Sequence, residues 1–150
     1  MSSRIDPRGQ QFAAVVTTVV LAVVLLTTPG PVGVTLLALQ AGLFGLAVLR
    51  GVQSTPHAWA FRTFVRPRLA PPAELEEAAP PRFAQGVGLA FTLVALAGFL
   101  LGADLVGFVA VGFALAAALL NAAFGFCLGC EMYLLIRRVA PTVTRFSTTH

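Results

Sequence analysis

Four apolar runs, separated by brief polar punctuation, constrain this chain more than any other feature. The first extends from about Phe12 to Leu26 ("FAAVVTTVVLAVVLL"), the second from Val32 to Leu49, the third from Val87 to Leu101, and the fourth starts at Leu105 and stays apolar to Ile136. A bilayer core about 30 Å thick needs roughly 20 helical residues, so the first three sit near the short end and recruit their flanks. The expected spans are therefore about 12–28, 32–49 and 86–102. The fourth run, 105–136, is too long for one perpendicular crossing, which leaves either one long tilted helix or a helix broken near Gly125 with a short interfacial end. With 57% hydrophobic and 11% charged residues and a mean hydropathy of +0.87, the chain falls outside the range of soluble domains of its length.

The punctuation fixes the topology. Arg4 and Arg8 precede the first run as in a signal peptide, but the "TTPGP" that follows lacks a small-x-small cleavage pattern and a second span begins at once. An uncleaved first helix is expected, with Pro29, Gly30 and Pro31 in a tight turn. All positive charge comes from ten arginines, with no lysine, and every arginine lies between apolar runs or at a chain end. That distribution excludes a nucleic-acid face and points to anionic lipid head groups. With four spans, Arg4 and Arg8, the five arginines between Arg50 and Arg82, and Arg137, Arg138 and Arg145 share one side, which the positive-inside rule makes cytoplasmic. Three or five spans would split them. The expected fold is an all-α membrane protein of four transmembrane helices in two helical hairpins, a single integral membrane domain over 1–150, with both termini cytoplasmic.

Between the hairpins, residues 50–85 change sharply to arginine, proline, glutamate and aromatics. Thr55 before Pro56 reads as an N-cap followed by proline at the first helical position. Trp59, Phe61, Phe64 and Val65 interleave with Arg62 and Arg66, the pattern of a short helix in the membrane interface, aromatics toward acyl chains and arginines toward phosphates. Trp59, Arg62, Arg66, Arg68 and Arg82 are accordingly the candidate lipid- or partner-binding residues, the segment serving as a tether or as a docking surface. Glu74, Glu76 and Glu77, between two proline pairs, read as a surface salt-bridge cluster rather than as catalytic carboxylates.

Few polar side chains fall inside the spans: Thr17, Thr18, Gln40, Thr92 and Asn121. Near mid-membrane the Gln40 amide needs a partner across a helix interface; alternatively Gln40 and Asn121 line one small polar cavity. Gly98, Gly102, Gly125 and Gly129 are candidates for close helix packing, Gly125 and Gly129 in small-xxx-small spacing.

The chemistry-bearing element is "GFCLGCEMY", Gly125 to Tyr133. On a continuous helix from Leu105, Asn121 lies roughly 24 Å and Cys127 about 33 Å along the axis, which puts the thiols near the cytoplasmic boundary, with Cys127 and Glu131 nearly aligned. Three readings of C-x-x-C compete. Cysteines at i and i+3 approach disulfide distance with modest distortion, and in a reducing compartment such a pair is redox-active rather than a permanent staple. A metal site needs four ligands, of which this motif supplies two; neither His57 nor His150 is spaced as the missing pair, and a dimer pooling two C-x-x-C units is the arrangement that would complete one. Covalent haem attachment needs histidine where Glu131 stands. The bland reading is that cysteine is a small hydrophobe in an apolar helix. A neighbouring carboxylate and apolar surroundings both oppose a highly activated thiolate. No residue marks a quinone or other cofactor site.

The combination of "IDPR" before the first span, "RTFVRPRLAPPAELEEAAPPRFAQGVG" between the hairpins and the C-L-G-C-E element resembles DUF4395, a family of small bacterial integral membrane proteins of undefined function. The resemblance covers nearly the whole chain and implies that Cys127, Cys130 and Glu131 are signature positions, with Pro67, Arg68 and Pro81-Arg82-Phe83. It further implies a bacterial cytoplasmic membrane and, from the thioredoxin-like and rhodanese-type proteins that accompany the family, thiol or sulfane-sulfur handling. The expected function is thus a membrane-embedded component of thiol-redox or sulfur-transfer chemistry at Cys127 and Cys130, exchanging with a soluble thioredoxin-like or rhodanese-like partner. The alternatives are a non-catalytic accessory subunit of a larger membrane complex and a carrier for a small sulfur species.

Overall fold

The structure, a computed structural model, describes the backbone of residues 4–5, 7–68, 76–77 and 79–148 and the side chains of 8–68 and 80–139. The order is β1 (Arg4–Ile5), α1 (Pro7–Thr27), α2 (Pro31–Arg50), a 3₁₀ turn (Val52–Ser54), α3 (Pro56–Ala60), β2 (Glu76–Glu77), α4 (Ala79–Leu100), α5 (Asp104–Phe124) and α6 (Leu128–Thr148). α1, α2, α4 and α5 are each long and apolar enough to cross a membrane. Within these helices Leu26, Leu39, Leu49, Leu100, Leu105 and Phe113 are exposed, an apolar exterior that water would penalise and a lipid bilayer accepts.

The four long helices form a ring in which α1 packs on α2 and α5, and α4 on α2 and α5. Three residues connect α1 to α2 and three connect α4 to α5, so each pair must reverse direction. Two turns therefore lie at one end of the ring, and α3 and α6 lie at the other. The main buried cluster, Leu21, Val24, Leu37, Ala95, Phe99, Ala110, Val111 and Ala114, occupies the half nearer the turns. Small residues let the helices close there: a Cβ on Gly98 would lie 2.8 Å from the backbone nitrogen of Gly107. Hydroxyls inside the ring bond to their own helices, Thr18 to the Ala14 carbonyl at 2.7 Å and Thr92 to the Gly88 and Leu89 carbonyls at 3.0 Å, which hides polar groups where lipid offers no partner.

At the arginine-bearing end, Thr55 caps α3 by accepting from the Ala58 N–H at 3.3 Å, and Pro56 takes the first helical position. The backbone then widens into a π turn over Phe61–Val65 and tightens into a 3₁₀ turn over Arg66–Arg68. Phe61 is buried against Phe12 and Gly9 and anchors this segment to α1, while Trp59 and Phe64, in edge-on contact, stay exposed. β1 and β2 pair antiparallel, Arg4 opposite Glu77, which holds the chain start beside the approach to α4. The side chains of the expected glutamate cluster lie outside the described residues.

The fourth apolar run resolves into two helices. Gly125 adopts φ +66°, a left-handed conformation that ends α5, and α6 restarts at Leu128. α6 has 21 residues and packs on α4 through Gly129, whose Cβ would lie 2.5 Å from Ala84 Cα, and through Tyr133 against Phe83. Its Leu128, Met132, Leu135, Ile136 and Val139 are exposed. The expectation of close packing is corrected for Gly102 and Gly125: both have positive φ with nothing within 4 Å of an added Cβ, and they serve as turn glycines. Gly98 and Gly129 sit at close helix contacts.

Candidate functional site around Cys127 and Cys130

Cys127 falls in the gap between α5 and α6 and occupies the cap position of α6. Its carbonyl accepts from the Glu131 N–H at 3.0 Å, and its Sγ accepts from the Cys130 N–H at 3.2 Å. The two cysteines are paired in a disulfide across a Cα separation of 5.2 Å. The arrangement follows from the break: had α5 continued, Cys127 would have been one residue on the flank of a long helix, without free N–H groups nearby. A helix start supplies such groups and a partial positive charge, both of which favour negative charge on sulfur once the pair is reduced. Glu131 is exposed on the first turn of α6 and forms part of that helix start through its backbone.

Beside the pair lies a cavity of about 240 Å³ lined by Arg8, Gln10, Gln11, Pro81, Ala84, Gln85, Asn121, Gly125, Cys127 and Cys130. It is built where α1, α4 and α5 meet the break. Gln11 donates from Nε2 to the Ala122 carbonyl at 3.1 Å and ties α1 to the last turn of α5. Gln10, Gln85 and Asn121 make no side-chain hydrogen bond among the described residues, so three amides are available to whatever enters.

A second cavity, of about 180 Å³, adjoins the first through shared Gln10 and Gln85 and runs under α3 to Gln53, His57, Arg62 and Arg66. Arg62 also donates to the Gln53 carbonyl at 3.1 Å, bracing the segment. Burial holds the His57 imidazole below the ordinary histidine range, so it is neutral at physiological pH.

Other residues singled out in the sequence lie elsewhere. Arg82 donates from Nε to the Val48 carbonyl at 2.6 Å and from its terminal nitrogen to Leu49 at 3.3 Å, closing the end of α2. Arg68 is exposed at the close of the 3₁₀ turn and lines neither cavity. Gln40 is 1% exposed, and among the described residues neither atom of its amide has a partner, so the expected bond across a helix interface is corrected. Nor does it line the cavity beside Asn121 and the cysteine pair. Among the described residues no group of three or more His, Cys, Asp or Glu side chains could hold a metal ion.

Sequence reasoning missed Arg8, Gln10, Gln11 and Gln85. Their signal was available: Gln10 and Gln11 on α1 and Gln85 on α4 stand just before the apolar runs begin.

The fold and this site define a class: a small, all-helical, multi-pass type of chain with a paired-cysteine site at one end of a four-helix ring. Within it, the chain belongs to the family described as a domain of unknown function, DUF4395, whose model matches residues 5–138. No curated protein and no solved structure matches it.

Proposed function

We infer that the protein is a membrane-embedded component of thiol-redox or sulfur-transfer chemistry, with Cys127 and Cys130 as its exchanging pair. The observation that carries this reading is the N–H of Cys130 directed at Cys127 Sγ on the rim of a polar cavity. A merely packed cysteine has no use for a cap position, a facing thiol and an adjoining polar cavity. Exchange requires an attacking thiolate, a disulfide within reach and a stabilised leaving sulfur. The cap position answers the last of these, and the cavity gives access to the second.

The positive-inside rule assigns the arginine-bearing end, both termini and the cysteine pair to the cytoplasmic face of a bacterial inner membrane. There a soluble thioredoxin-like or rhodanese-like protein would meet the pair, with Trp59, Phe64 and Arg68 resting at the lipid surface. A carrier would need polar groups along the bundle, and Gln40 stands apart from the cavity; a purely accessory role leaves the cap geometry without a purpose.

The test is capture of the exchange intermediate. The full-length Cys130→Ser protein, in membranes, is offered thioredoxin that keeps only its attacking cysteine, activated as the mixed disulfide with 5-thio-2-nitrobenzoate, which leaves as the thiolate when Cys127 attacks. A mixed disulfide through Cys127, visible as a reducible mass increase, supports the reading. Absence of any adduct while an iodoacetamide control modifies Cys127 contradicts it.

A further inference from the structure

The two adjoining cavities differ in what they offer. The first presents the cysteine sulfurs, Arg8 and the amides of Gln11 and Asn121; the second presents Arg62, Arg66, neutral His57 and Gln53; Gln10 and Gln85 line both. Among the described residues no carboxylate lines either one. The two cavities, of about 240 and 180 Å³, share Gln10 and Gln85 in their walls. A ligand that uses both carries a sulfur group toward the cysteines and negative charge toward the arginines.

We propose that these cavities form one binding site for an anionic low-molecular-weight thiol, its sulfur beside Cys127 and Cys130 and its carboxylate or phosphate groups beside Arg62 and Arg66. This rests on the thiol–disulfide reading of the pair and names its substrate class. Arginine forks match carboxylate and phosphate oxygens, and the amides of Gln10 and Gln85 supply donors and acceptors along the shared wall.

The step balances without a further oxidant. The thiolate sulfur bonds to Cys130 Sγ, the Cys127–Cys130 bond breaks, and the electron pair leaves on Cys127 Sγ, where the Cys130 N–H receives the charge. A second thiolate then attacks the substrate sulfur of the mixed disulfide and releases Cys130 as thiolate. Two thiolates are oxidised to one small disulfide, and the protein disulfide is reduced to two thiolates.

The experiment measures the rate at which mercaptosuccinate, 2-mercaptoethanol and cysteamine reduce the pair in the detergent-solubilised full chain, each rate divided by the thiolate concentration and read by alkylation mass shift. The site predicts that dianionic mercaptosuccinate is about tenfold faster than cationic cysteamine at low ionic strength, with the ratio shrinking as salt is raised. In Arg62→Gln/Arg66→Gln the ratio falls to about one; the ratio, rather than either rate, is read, so a general loss of reactivity does not imitate the effect. Equal rates for all three thiols in the unsubstituted protein overturn the anionic site and leave the redox reading standing. A pair that no thiol reduces overturns the redox reading, and the site with it.

Discussion

The backbone N–H of Cys130 points at the sulfur of Cys127 from 3.2 Å, so the two cysteines are unequal members of one pair. One sits at the cap of α6, where N–H groups converge, and the other lies within the first turn. A disulfide conceals that inequality, and reduction exposes it.

Single-cysteine variants should therefore differ. With Cys130→Ser the remaining Cys127 is alkylated about tenfold faster at neutral pH than Cys130 is in Cys127→Ser. Cys127→Ser keeps a good N-cap and its melting midpoint stays close to that of the reduced parent, whereas Cys127→Ala loses about 1 kcal/mol. Iodoacetamide kinetics and melts in detergent check both. Equal alkylation rates would remove the cap effect.

Gly129 is expected to be intolerant. A methyl there lies 2.5 Å from the Cα and Cβ of Ala84, so Gly129→Ala must push α6 away from α4, at a cost of about 1–3 kcal/mol. Because Ala84 and Cys130 line the same cavity, the displacement also changes Cys127 alkylation. The control is Gly112→Ala, where nothing lies within 4 Å of the added methyl. A Gly129→Ala protein that melts like the control would show that α6 is not held on α4.

Gln40 is a buried amide without a hydrogen-bond partner among the described residues. Replacing it with leucine removes an unsatisfied group of similar volume and is expected to stabilise the protein by about 1–2 kcal/mol without altering the reactivity of the cysteine pair. A loss of reactivity in Gln40→Leu would tie mid-bundle polarity to the cysteine site.

His57 gives the α3 segment a pH dependence. Its folded-state pKa lies below the ordinary 6.5 because burial disfavours the charged ring. Between the folded and ordinary values the unfolded state binds more protons, so stability rises with pH in that window and is lost as pH falls below about 6.5. Trp59, the chain's one tryptophan, lies two residues away and reports on the segment. Its fluorescence should change on acidification below that value, and His57→Gln should flatten the change.

The long helices were legible because hydropathy and length alone fix them: the apolar runs from Phe12, Val32 and Val87 each became one helix, extended by a few polar flanking residues. Thr55 and Pro56 announced α3 by local chemistry that survives in the fold. The break after Phe124 was harder to read, since Phe126 and Leu128 keep the run apolar and hydropathy does not register a left-handed glycine. That one dihedral converts the cysteines from helix-flank residues into a capped pair. The cavity wall was also hidden, because Arg8 and Gln10 lie far in sequence from Gln85 and meet it only when α1 and α4 come together at the arginine-bearing end.

The most direct measurement is a thiol-alkylation mass shift on Cys127 and Cys130 in native membranes, taken as isolated, after mild oxidation and after incubation with reduced thioredoxin. The account predicts that both thiols are blocked in the oxidised state and become alkylated together after reduction, reversibly over repeated cycles. Thiols that stay reduced and unreactive under all three conditions would contradict it and leave "GFCLGCEMY" as a packing element.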